Sequence, residues 1–125
     1  CFCASLDAMG VRFVGARHEN QAVSMADGYA AATNGLGVAV IGRGPALANG
    51  FNGIYFSKVT ANSILVIVGD APADAGVQDA TGPDYKQIGF NQRQILEATG
   101  IKTFVADNAE TMHQTLTISS LRWRN

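Results

Sequence analysis

Two unbroken apolar runs organise the chain: Gly37-Val38-Ala39-Val40-Ile41-Gly42 and Ser63-Ile64-Leu65-Val66-Ile67-Val68-Gly69. Each has the length of a strand and is bounded by turn residues. A continuous run of this kind predicts a strand buried on both faces of a parallel sheet. Ahead of the first run, from about His18 to Thr33, the residues Ala22, Met25, Ala26, Tyr29, Ala30 and Thr33 recur at helical spacing, and Asn34-Gly35 closes the segment. Their small side chains suit a helix lying close against a sheet or another helix. Between the two runs, Pro45 opens a helix over about 45–58, with Leu47, Gly50, Phe51, Ile54 and Lys58 on one side.

The flanking patterns are weaker. Phe2, Leu6 and Met9 predict a helix over 2–9 that Gly10 stops, and Val11-Arg12-Phe13-Val14 reads as a short strand. Residues 72–85 are rich in Ala, Gly, Asp and Pro without periodicity, which predicts an irregular loop. A short helix from Phe90 to Ala98, a strand Ile101–Val105 and a last helix from Ala109 to about Ser119 follow, the last capped by Asp107 or Asn108. The order α-β-α-β-α-β-loop-α-β-α predicts an α/β fold: an open parallel sheet with helices on both faces, a flavodoxin-like three-layer α/β/α arrangement. One domain over 1–120 and an irregular tail over 121–125 are expected. The first residue is Cys1 and the chain opens in what reads as a helix, so further residues are expected upstream.

Composition narrows the function classes. Of the 125 residues, 47% are hydrophobic and 15% charged, the balance of a folded domain. A net charge of −1 and the lack of a basic cluster argue against nucleic acid or an anionic membrane as partner. No apolar run approaches the length of a membrane span. Cys1 and Cys3 are too close to pair well, and the only histidines, His18 and His113, are remote in sequence, so no metal site is expected in these residues. Two unpaired cysteines suit a reducing compartment, cytoplasmic or an organelle matrix.

Three turns carry candidate chemistry. Gly42-Arg43-Gly44-Pro45 lacks the third glycine of a dinucleotide loop, and no P-loop Lys-Ser/Thr pair follows. Gly69-Asp70-Ala71, with Asn91 downstream, has the residue types of a Mg²⁺-diphosphate site but not its second glycine, and Asp70 reads more simply as a turn cap. Glu19 follows an apolar stretch at the start of a helix, on the rim where open α/β sheets bind ligands. From the residues alone it reads as an acid favouring the positive end of a helix.

The wider string changes that reading. Arg17-His18-Glu19-Asn20-Gln21-Ala22, then Met25-Ala26-Asp27-Gly28-Tyr29-Ala30, then Gly37-Val38, resembles the N-terminal pyrimidine-binding domain of thiamine-diphosphate enzymes, in the acetolactate synthase, pyruvate oxidase and glyoxylate carboligase group. Gly44-Pro45-Ala46 with Asn49, then Asn52-Gly53-Ile54, extends the likeness, which covers about residues 4–118. The resemblance implies that Glu19 hydrogen-bonds N1′ of the cofactor's aminopyrimidine and activates it toward a 2-oxo acid. Burial in a dry site would then raise the pKa of Glu19. It implies that Gly44, Pro45 and Asn49 border the pyrimidine, and that Phe90 and Asn91 lie near the substrate. Arg43, Ala46 and Asn91 depart from the family pattern, where a small or hydroxyl residue, Gly and Gln stand. The family's first strand would precede Cys1. Its Mg²⁺-holding, diphosphate-binding domain would come from another subunit or a separate chain, in a homodimer or tetramer. The 2-oxo acid, its acceptor and any use of a flavin (FAD) are left unassigned. The alternative is a non-catalytic α/β module that dimerises through its small-residue helix and binds no cofactor.

Overall fold

The computed structural model of the chain describes residues 2–70 and 91–122. α1 spans Phe2–Ala8. Gly10 takes φ 81°, and paired bonds from Gly10 N–H to the Asp7 carbonyl (2.9 Å) and from Val11 N–H to the Leu6 carbonyl (3.0 Å) close the helix as the glycine predicts. α2 spans Glu19–Thr33, β1 Gly37–Ile41, α3 Pro45–Thr60 and β2 Ile64–Val68. α4 spans Gln92–Ala98 and α5 Ala109–Arg122.

β1 and β2 are parallel, with Gly37 opposite Ile64 and Ile41 opposite Val68, and α3 makes the crossover between them. The α/β class and the parallel sheet are those the apolar runs predict. Register puts Gly37, Ala39 and Ile41 on one face with Ile64, Val66 and Val68. That face meets Val23 and Ala26 of α2 and Leu47 and Ile54 of α3, with Leu96 of α4 completing the core.

Close approach is what makes this core. A Cβ on Gly37 would lie 1.9 Å from the Ala26 carbonyl oxygen, so β1 passes α2 at a distance only glycine permits. Likewise, a Cβ on Gly53 would meet Val23 Cγ1 at 3.0 Å, where α3 crosses α2. Asn62 Nδ2 donates to Asp27 Oδ1 at 2.9 Å and ties the end of α3 to the middle of α2.

Several expectations are corrected. Val11–Val14 and Ile101–Val105 are not strands; among the described residues the sheet has two strands. Each segment lines a cleft together with sheet residues: Val11–Arg17 with Val38–Gly42 in one of about 810 Å³, and Ile101–Asp107 with Ile64–Val68 in one of about 780 Å³. Neither pairs with β1 or β2 in a ladder. Nor is β1 buried on both faces: α2 and α3 cover one, while Val38 on the other is 53% exposed toward the first cleft. α5 continues to Arg122, so residues 121–122 are helical rather than tail. Its cap is Asn108, whose Oδ1 accepts from Thr111 N–H at 2.9 Å while Asn108 N–H donates to Thr111 Oγ1 at 3.1 Å. The predicted 72–85 loop lies outside the described residues.

α3 runs two residues beyond its predicted end and closes on Ala61, a non-glycine residue at φ 57°. The left-handed conformation crowds its Cβ. Ala61→Gly is expected to stabilise the protein by about 0.5–1 kcal/mol, read as a rise in Tm.

Candidate functional site

The C-terminal ends of β1 and β2 deliver two turns, Gly42–Pro45 and Gly69–Asp70, side by side: Gly69 N–H donates to the Ile41 carbonyl at 3.2 Å. The N-terminus of α2 arrives beside the first turn. His18 is its N-cap, in extended conformation, and the imidazole Nδ1 accepts from Asn20 N–H at 3.2 Å. Nδ1 therefore carries the lone pair here. Arg17 N–H donates to Gln21 Oε1 at 3.2 Å, which fixes the entry of the chain into the helix.

Glu19 follows as the first residue of α2, half-buried, and lines the cleft of about 810 Å³ with Arg17, His18 and Gly42. Its Oε2 accepts from Asn49 Nδ2 at 3.1 Å. Asn49 comes from α3, whose N-cap Gly44 sits at φ 58°, ψ −113° and whose first helical residue is Pro45. Gly50 brings the α3 backbone against this corner, where a Cβ would lie 3.6 Å from Glu19 Cβ. The structure thus brings Glu19 and Asn49 into contact and sets the Gly44-Pro45 turn one helical turn before Asn49.

The carboxyl of Glu19 is held below its ordinary value of 4.5, first by its own backbone N–H, then by the Asn49 amide, with a smaller contribution from His18; burial opposes these. The rise expected of a dry site is therefore not the direction in this chain by itself. Donors favour the charged form, and a half-buried side chain keeps enough water for desolvation to be the smaller effect.

Asn91 is the N-cap of α4: its Oδ1 accepts from Gln94 N–H at 3.0 Å. Phe90 lies outside the described residues. The residue that sequence reasoning missed is Gln92, buried at the start of α4 and bonded to Gly44, Gly69 and Asp70. The available signal was its spacing: Gln92 and Leu96 are four apart on one helical face and both are buried. Among the described residues, no group of three or more His, Cys, Asp or Glu could hold a metal ion, and no helix is long and apolar enough to cross a membrane.

Glu19 is thus a carboxylate with one oxygen braced by a neutral amide, lining a cleft whose walls are mostly apolar. The profile of the family described as "Thiamine pyrophosphate enzyme, N-terminal TPP binding domain" matches residues 1–90. The acetolactate synthase large subunit of Haemophilus influenzae is 32% identical over 107 residues, which is 86% of this chain and 18% of that protein. Acetolactate synthase isozyme 3 large subunit of Escherichia coli is 29% identical over 106 residues, 85% of this chain and 16% of that protein. The acetolactate synthase large subunit of Buchnera aphidicola is 35% identical over 71 residues, 57% of this chain and 12% of that protein. The chain therefore spans less than a fifth of the length of these relatives. No solved structure matches it significantly.

Proposed function

The chain belongs to the thiamine pyrophosphate enzymes and carries their N-terminal TPP binding domain, and from that premise we propose that it forms the pyrimidine half of a site acting on 2-oxo acids, with Glu19 as the partner of N1′. The observation that carries the reading is the contact of Asn49 with Glu19, a residue that lines the cleft. When bound, thiamine diphosphate supplies a nucleophilic carbon for the 2-oxo carbonyl and an electron sink for decarboxylation. Glu19 holds a proton between its carboxyl and N1′. Asn49 limits rotation of that carboxyl. The Gly44-Pro45 turn offers shape rather than donors: Pro45 has no N–H, the Gly44 N–H goes to Gln92 at 2.6 Å, and the Gly44 carbonyl accepts from Ala48 at 3.1 Å. Phe90 and Asn91 are assigned to the substrate side.

Diphosphate and Mg²⁺ are assigned to a diphosphate-binding domain of another subunit or a separate chain, in a homodimer or tetramer. Tyr55, Phe56 and Val59 on α3 are 45%, 57% and 66% exposed, an apolar strip suited to a protein partner. Closure by that partner removes water from Glu19 and pushes its pKa upward, so that it can share a proton. The names of the relatives favour a carboligase of the acetolactate synthase type.

Calorimetric titration of the full-length protein with thiamine diphosphate in Mg²⁺ tests the reading. Saturable binding with Kd on the order of micromolar is expected. Failure to bind contradicts it and favours the non-catalytic dimerisation module.

A further inference from the structure

Gln92 is 7% exposed, and its amide is committed on both sides. Oε1 accepts from Gly44 N–H at 2.6 Å; Nε2 donates to the Gly69 carbonyl and to Asp70 Oδ1, each at 3.1 Å. These partners dictate the amide orientation, because a backbone N–H needs the oxygen and a carbonyl needs the –NH₂. The partners lie 48, 23 and 22 positions away in sequence, in the turns that leave β1 and β2. One side chain on α4 therefore braces both strand ends.

The first of those turns leads into α3 without a cap from its own N-cap side chain, and that N-cap, Gly44, holds φ 58°. In a capping box, a Glu or Gln in the third helical position reaches back to the N-cap N–H. Here that position is Leu47, which cannot accept a hydrogen bond and is buried in the core instead. Gln92 supplies the missing acceptor from another helix. Without it the Gly44 N–H would be buried and unpaired, since Gly44 itself is buried.

We infer that Gln92 is a positioning residue: a capping acceptor supplied in trans that sets the Gly42–Pro45 turn and the start of α3, and so holds Asn49 against Glu19. The consequence for the cofactor rests on the function proposed above; the capping role does not. Two substitutions separate the contributions. Gln92→Leu keeps the bulk and removes all three bonds. Gln92→Glu keeps an acceptor for Gly44 N–H but sets an anionic oxygen against the Gly69 carbonyl and the Asp70 carboxylate, the ionisable group that Nε2 contacts. A protonated acid at 92 has one O–H and can restore one of those two contacts, so this variant should recover in part as pH falls.

The experiment uses the full-length protein. Amide hydrogen exchange of the 42–49 segment is measured without cofactor, and thiamine diphosphate affinity by calorimetry, each against wild type at the same pH. In Gln92→Leu, exchange of the segment is expected to quicken and affinity to fall, each by about tenfold, the effect of one buried unpaired group. Gln92→Glu should lose less than Gln92→Leu near about pH 8, because Gly44 N–H keeps its acceptor, and regain part of that loss near about pH 5.5, as the introduced carboxyl protonates. If Gln92→Leu fails to fold, the pH profile of Gln92→Glu decides. Segment exchange unchanged in the variants overturns the capping role. Quickened exchange with affinity unchanged overturns the role in positioning the site. If wild type itself does not bind thiamine diphosphate, the proposed function fails, while the exchange result still decides the capping role.

Discussion

On the function proposed, Glu19→Gln is expected to lower the turnover of the full-length protein by about 10²–10⁴-fold, the range for removing a positioned acid or base, while cofactor binding and thermal stability stay close to wild type. The substitution is nearly isosteric. A glutamine oxygen can still accept from Asn49 Nδ2, which now meets Glu19 Oε2 at 3.1 Å, so the junction of α2 with α3 is kept. What the amide cannot do is exchange a proton with a ring nitrogen. The loss should therefore fall in kcat, with KM little changed, the pattern of an interaction made in the transition state alone. Steady-state kinetics beside a thermal melt separates this from unfolding. A variant with kcat within a few-fold of wild type would leave Glu19 as an ordinary first-turn acid.

Gly37→Ala is the substitution expected to cost the fold most. The added Cβ would stand 1.9 Å from the carbonyl oxygen of Ala26. That oxygen is helix backbone, so no rotamer change relieves the clash. Either β1 or α2 must move by more than an ångström, which opens the packing among Val23, Ala26, Ala39 and Ile41. A loss of about 3 kcal/mol or more is expected, at the upper end for overpacking. It should appear as a clear fall in Tm or in soluble yield. Because α2 also carries Glu19, any folded fraction should bind cofactor poorly. Gly28→Ala is the control: it lies on an exposed part of α2 with nothing within 4 Å of the added Cβ, and it should be neutral or stabilise by up to about 1 kcal/mol. Equal melting temperatures for Gly37→Ala and Gly28→Ala would rule out the close approach of β1 to α2.

How far the molecule was legible depended on where each feature's cause lay. The α2–β1–α3–β2 unit could be read because its patterns are local: small residues at helical spacing, two apolar runs, Pro45 at a helix start. The 11–14 and 101–105 segments could not. A short run containing Arg12, or Lys102 and Thr103, becomes a strand only if it finds a ladder partner, and neither segment pairs with β1 or β2. The exposure of Val38 has the same origin, since an apolar run does not say whether both faces are covered. Glu19 and Asn49 were each picked out by their motifs, but the bond between them follows from how α3 crosses α2 at Gly50 and Gly53. The direction of the Glu19 pKa depended on which donors reach it, and those are set by that crossing and by the helix start. Gln92 was hidden for the same reason: its partners are distant in sequence, and a polar residue at a helix start normally reads as solvated.

The central claim is that Glu19 shares a proton with N1′ of the aminopyrimidine. Its most direct measurement is the exchange of the thiazolium C2 proton of bound thiamine diphosphate into deuterated solvent, followed by NMR after rapid acid quench in wild-type and Glu19→Gln full-length protein. The account predicts fast exchange on wild type and a fall by about 10²-fold or more in the variant, at equal cofactor occupancy. Equal exchange rates in the two proteins would contradict it.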